Sequence, residues 1–344
     1  MISIFVFSLF PSLSCFTNQK AFTDHYLLLH ISLSLSFSSA FLLFLVPNKS
    51  KRFRFFPLKF ALQRARKIGM AEEETELSEE QRKEIAKWFL LNAPAGEIQY
   101  VAKDLKSVLN DDDVYNEAVS EAFPVYNKSH MICLEMPGRF GDVLVTSYGE
   151  LQDNEYLDPK TAQVAIVDHV KQVCTEVRPA TDEELPSPYI EEYRCALDIE
   201  MSKYVGEAYP KGFCSVYCTN GKDVEGPGSD FELVVVISAA RLSPQNFCNG
   251  SWRSIWNIEF KDDIQILELK GKLQVGAHYF EEGNVQLDAR HECKDSTLFQ
   301  SPDDSAVSIA TIIRHHETEY LASLEVAFNM SGLFQMLEFS RVLY

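Results

Sequence analysis

The feature that most constrains this chain is the run from Asn249 to Leu287, NGSWRSIWNIEFKDDIQILELKGKLQVGAHYFEEGNVQL, in which residue character alternates at every second position. Trp252, Ser254, Trp256, Ile258 and Phe260 share one face of a two-residue period, with Arg253, Asn257 and Glu259 on the other. After the KDD turn, Leu267, Leu269, Leu273, Val275, Ala277 and Tyr279 share a face opposite Glu268, Lys270, Lys272, Gln274 and His278. This period predicts consecutive antiparallel strands with one face buried. Glu281 to Asn284 then turn the chain, and Val285 and Leu287 begin a return strand. Just upstream, FELVVVISAAR (231–241) is almost continuously apolar, as a strand covered on both faces requires.

Such a sheet needs a long amphipathic cover, and the chain supplies one directly afterwards. Ser301-Pro302-Asp303-Asp304 is a helix start, with an N-cap, a proline at the first position and acids at the positive end of the dipole. Ile309, Ile312, Ile313, His316, Tyr320, Leu324 and Phe328 then keep one face apolar for about seven turns, roughly 40 Å. A further helix is expected over 182–209, opened by the acidic TDEE and striped with Tyr189, Tyr193, Ala196, Leu197, Tyr204, Val205 and Ala208.

Earlier in the chain, Ser78-Glu79-Glu80-Gln81 is a capping box for a helix carrying Ile85, Trp88 and Phe89. Ile98, Val101, Leu105 and Val108 predict a second helix, and Asp111 to Asp113 can cap a third bearing Val114, Ala118 and Phe123. Short extended pieces follow between His130 and His169. The reading is an α+β protein: 70–128 a helical bundle, 129–181 a small strand module, 182–298 a helix plus a central antiparallel sheet, 299–331 the long helix, and 332–344 a tail. Residues 1–69 are expected to lie outside this fold. Within them Tyr26 to Val46 is an uncharged run of bilayer-spanning length followed by the basic KSKRFRFF, but serines and His30 dilute it and no basic region precedes it.

Charge narrows the function classes. The formal net charge is −18, yet the first 69 residues hold nine Lys/Arg against Asp24 alone, so the rest carries −26. A body that acidic repels nucleic acid over most of its surface. The eight cysteines have no CxxC pairing, which suits reduced thiols. Candidate chemistry is sparse. Asp168 and His169 are adjacent, so a strand would point them to opposite faces. HHETE at 315–319 lacks the i, i+4 histidine pair of zinc proteases, and the DDD run lacks calcium-loop spacing. The loop NGKDVEGPGSD matches no phosphate-binding pattern. No catalytic, cofactor or metal residue is assigned.

With these residues in view, the chain resembles the alpha subunit of the heterodimeric F-actin capping protein, in its plant-like form. The resemblance rests on NGSWRSIWNIEF, with Trp252, Arg253 and Trp256, and on the spaced block Ala277, His278, Tyr279, Phe280, Glu281, Glu282, Gly283, Asn284, Val285. It extends back through KGFCSVY (211–217), YLDPK (156–160), LNDDD (109–113) and SEEQRKEIAKWFLLNAPAGE (78–97), covering about Glu72 to Ser331. It implies the capping-protein alpha-subunit fold, a central sheet continued by the beta subunit, and one long helix from each subunit across it. It further implies a non-catalytic cytoplasmic protein of the actin cytoskeleton that binds filament barbed ends without a cofactor. Acidic-phospholipid regulation belongs to the same expectation, though no site for it is readable. Members of the family carry a basic segment after the long helix, whereas GLFQMLEFSRVLY has Arg341 as its only basic residue. Weakened capping is therefore expected, and no actin-contact residue can be assigned. The alternative is a membrane-tethered or beta-subunit-binding scaffold without capping activity.

Overall fold

The computed structural model describes residues 2–7, 77–219, 226, 228–261, 263–280 and 284–331. Helices α1 (Glu79–Leu91), α2 (Ile98–Leu109) and α3 (Asp112–His130) form the bundle. The capping box is present: Ser78 Oγ accepts from Gln81 N, and Gln81 Oε1 accepts from Ser78 N. Asp111 caps α3 by accepting from Val114 N at 3.2 Å. The bundle core is Ala86, Leu90, Ile98, Ala102, Leu105, Ala118, Val119, Ala122, Phe123 and Tyr126. Trp88 and Val108, both placed on packing faces by their spacing, are more than half exposed. The smaller Ala86 and Ala102 let the helices approach closely and take the inward positions instead.

Strands β2 (Cys133–Glu135) and β3 (Asp142–Leu144) pair with each other, and β4 (Glu150–Gln152), β5 (Glu155–Asp158), β6 (Gln163–Asp168) and β7 (Val173–Pro179) make a four-stranded meander. Helix α4 (Pro188–Ala208) begins later than the acidic TDEE predicts. Glu184 is occupied elsewhere, accepting from Thr181 N and pairing with Arg178, and Pro188 supplies the fixed φ of a first helical turn. The Glu184 carboxyl is held at about 2 by the Arg178 guanidinium beside it.

The central sheet runs β1 (Ile2–Phe7), β12 (Asn284–Leu298), β11 (Ile266–Tyr279), β10 (Cys248–Lys261), β9 (Phe231–Ser243), β8 (Phe213–Cys218), antiparallel throughout. Residues 2–7 thus stand in the sheet, although they belong to the stretch set apart from the fold by composition. The uncharged run ISIFVF, rich in β-branched and aromatic residues, is a strand former in its own right. Tyr26 to Val46 and the tail 332–344 lie outside the described residues. Among the described residues no helix is long and apolar enough to cross a membrane.

Helix α5 (Pro302–Ser331) crosses the sheet beside α4. The two helices run in the same direction, since Tyr193 reaches Gln300 and Glu207 reaches Arg314. Between them and the sheet lies the main core, including Trp252, Trp256, Ile258, Phe260, Leu267, Leu269, Leu273 and Val275 of the alternating run. Ile309, Ile313, Tyr320 and Leu324 of α5 close it.

Candidate functional site: the central sheet, its two faces and its open edge

The residues that carry the resemblance divide between the two faces of the sheet. Trp252 and Trp256, two positions of one face, are wholly buried beneath α4 and α5. Trp252 stacks on Tyr209, and Trp256 lies across the next strand at Gly271, where a Cβ would come within 2.7 Å of the indole. Arg253 and His278 lie on the opposite face, toward the bundle. Arg253 Nη1 donates to the carbonyl of Ser129 at 2.6 Å, which puts a cation at the C-terminal end of α3, where a helix dipole favours it. His278 Nδ1 lies 2.7 Å from Glu97 Oε1, and the same oxygen accepts from Asn249 Nδ2 at 2.7 Å. Arg253, His278 and Asn249 therefore clasp the bundle to the sheet.

Tyr279 packs at the margin of the main core. Phe280 continues past β11, its N–H donating to the Phe247 carbonyl and its ring meeting those of Phe247 and His278. Glu281 and Gly283 fall outside the described residues. Asn284 opens β12 and Val285 is half-buried in it. The described signature residues thus form no single pocket; they hold the sheet, its covering helices and the bundle in register.

One residue that polarity alone places in the solvent is the centre of the helix-covered face. Glu317 of α5 is wholly buried and accepts four hydrogen bonds. Oε1 receives Ser254 Oγ at 2.6 Å and Trp256 Nε1 at 3.1 Å, and Oε2 receives Tyr204 and Tyr209 hydroxyls at 2.8 and 2.7 Å. Burial raises its pKa against the opposing pull of these donors. Burial and the adjacent Glu317 carboxylate also raise the pKa of both tyrosines. A signal was present in the spacing: Glu317 is four residues from Ile313 and three from Tyr320, on the apolar stripe. The HHETE run is split three ways, with His316 on Asp295 at 2.9 Å, His315 beside Glu319, and Glu317 inside.

Asp168 and His169 do not act together. Asp168 pairs with Lys171, which lowers its pKa, while His169 is buried against Asn127 and Tyr156 with its pKa lowered by desolvation. Among the described residues no three His, Cys, Asp or Glu side chains are grouped to hold a metal ion.

The sheet has unequal edges. At one side β8 contributes six residues. At the other, β12 is fifteen residues long and pairs with β11 along nearly all of it, whereas its outer side meets β1 only over 284–289. Among the described residues no strand pairs with 291–298 on that side. A long unpaired edge presents N–H and C=O groups to any chain that can add a strand.

A structural scaffold, in which signature residues join sheet, helices and bundle and leave a strand-pairing edge, is the class of protein this arrangement defines. The chain belongs to the F-actin capping protein alpha subunit family, whose family model matches residues 86–335. It is 75% identical over 256 residues to an F-actin-capping protein subunit alpha of Arabidopsis thaliana, covering 74% of this chain and 83% of that one. A Dictyostelium discoideum subunit of the same name is 36% identical over 249 residues, covering 72% and 85%. A solved homodimeric actin capping protein alpha subunit from Plasmodium berghei superposes with a TM-score of 0.61 at 24% identity, covering 72% of this chain and 92% of that one.

Proposed function

We propose that this chain is the alpha half of a two-subunit cap that binds actin filament barbed ends in the cytoplasm and blocks subunit exchange there, without catalysis. The observation that carries the reading is 75% identity over 256 residues to an F-actin-capping protein subunit alpha of Arabidopsis thaliana. The outer edge of β12 supports the pairing half of it: beyond the six residues that pair with β1, among the described residues no strand meets 291–298 on that side, which is an edge that a beta subunit can continue. Filament binding is then a property of the assembled pair, since the chain from Met70 onward is strongly acidic.

The test is co-expression with a capping protein beta subunit, followed by pyrene-actin elongation from barbed-end seeds. The expected outcome is a 1:1 complex that slows elongation in a dose-dependent way. A chain that never co-purifies with the beta subunit overturns the pairing, and a complex that leaves elongation unchanged at micromolar concentration overturns the capping.

A further inference from the structure

The edge that would receive a second subunit is already partly filled by this chain itself. Strand β1 lies antiparallel on β12 with six consecutive pairs, from Ile2↔Ala289 to Phe7↔Asn284. We infer that residues 2–7 are a removable guard strand, which occupies the pairing edge of β12 at 284–289 and competes there with the incoming subunit. The inference rests on the pairing reading above and adds a regulatory element to it.

The division of β12 argues for this. Its covered part, NVQLDA, carries Val285, Leu287 and Ala289, with Leu287 and Ala289 buried in the main core, and a single charge, Asp288. The part beyond, RHECKDSTL, carries Arg290, Glu292, Lys294 and Asp295. Charged side chains are one way to blunt an exposed edge, and covering it is the other. Charge protects 290–298, and β1 covers 284–289, which carries one charge and the two buried side chains Leu287 and Ala289. The covered part also begins at Asn284 and Val285, the end of the signature block. β1 suits a temporary occupant: ISIFVF has no charge and no proline, and it pairs over six residues where β11 pairs over fourteen.

Because β1 and β12 belong to one chain, their pairing is intramolecular. A competing strand works against a local concentration set by the chain, not by the solution. The apparent affinity for the second subunit is then lowered by the fraction of molecules whose edge is open.

The experiment compares the full chain with a double variant, Ile4→Pro/Phe5→Pro. Adjacent N–H groups of a strand point to opposite sides, so the pair removes a ladder donor whichever side faces β12. Deletion of residues 2–7 provides a second variant that introduces no new side chain. Hydrogen exchange of the isolated chain reads the strand directly, with 291–298 as an internal reference. Protection at 284–289 is expected to fall in both variants while the reference is unchanged. Affinity for a capping protein beta subunit is expected to rise about tenfold or more. Unchanged exchange at 284–289 overturns the guard strand itself. Lost protection with unchanged affinity, in a chain that binds the beta subunit, overturns its competition. Lost protection with no binding by any form overturns the pairing reading, and the competition with it.

Discussion

At the scale of single residues, Glu317 is where the covering helix is keyed to the sheet. Four donors, two from β10 and two from α4 and its C-cap, converge on one carboxylate, so the cost of burying it is met by hydrogen bonds that fill both oxygens. Glu317→Leu removes the acceptor and strands donors in an apolar core, which is expected to cost about 3 kcal/mol or more in urea unfolding. Glu317→Gln behaves differently. Its carbonyl can still take Ser254 and Trp256, whose indole is only a donor, while its amide meets tyrosine hydroxyls that can turn to accept. That variant is expected to lose only about 1 kcal/mol. The pH dependence follows from the raised pKa: the folded state holds the proton more tightly than the unfolded one. The contribution of Glu317 is then fully present below the ordinary value of 4.5 and declines as pH rises above it. Measured between pH 4 and pH 8, the fall is expected in the parent and flattened in Glu317→Gln. An equal slope in both would assign the dependence to other groups.

At the scale of elements, β10 and β11 show what close packing demands beyond alternation. Gly271 faces Trp256 directly across the ladder, on the inner face between Leu269 and Leu273. An added Cβ would meet the Trp256 ring and Cys293 Sγ at 2.7 Å each. Gly271→Ala is therefore expected to cost about 1–3 kcal/mol and to change the near-ultraviolet dichroism of the indole. Gly206, in the last turn of α4, has open space for 4 Å around the place a Cβ would take, and it predicts the opposite sign. Gly206→Ala should stabilise by about 0.5 kcal/mol in the same urea measurement. The same elements mark how far the sequence could be read. The two-residue period placed Trp252, Trp256, Leu267, Leu269 and Val275 on one buried face because a strand offers only two faces. Helices offer a continuous surface, so Ile85, Trp88 and Phe89 identified α1 without deciding which side meets α3, and the inward positions went to Ala86 and Leu90. The start of α4 was displaced because Glu184 has a better partner in Arg178 than a helix terminus. Glu317 escaped because polarity read alone assigns a glutamate to water, and only the hydroxyls and indole brought from α4 and β10 make its burial tolerable.

At the scale of the whole molecule, two of the four apolar clusters among the described residues, that of the bundle and that beneath α4 and α5, are linked by polar contacts. The bundle has its own cluster, around Leu90, Ala118 and Phe123, and the sheet with α4 and α5 has another. Between them stand Glu97 with His278 and Asn249, and Arg253 with the Ser129 carbonyl. Bodies with distinct cores and a polar junction open with distinct free energies. Glu97→Ala removes the acceptor that His278 and Asn249 share without touching either core, so it is expected to loosen the junction alone. In native-state hydrogen exchange, amides of α1, α2 and α3 should then exchange through an opening that β10 and β11 do not share. The double cycle of Glu97→Ala with His278→Ala should give a coupling of about 0.5–3 kcal/mol in bundle stability. A uniform loss of protection across bundle and sheet would mean that the two cores fold as one unit and that the signature histidine serves the sheet alone. The expected result gives Arg253 and His278 a common purpose on the bundle-facing side, as Trp252 and Trp256 have on the helix-covered side: each pair fixes one layer to the sheet, and neither takes up the β12 edge beyond β1.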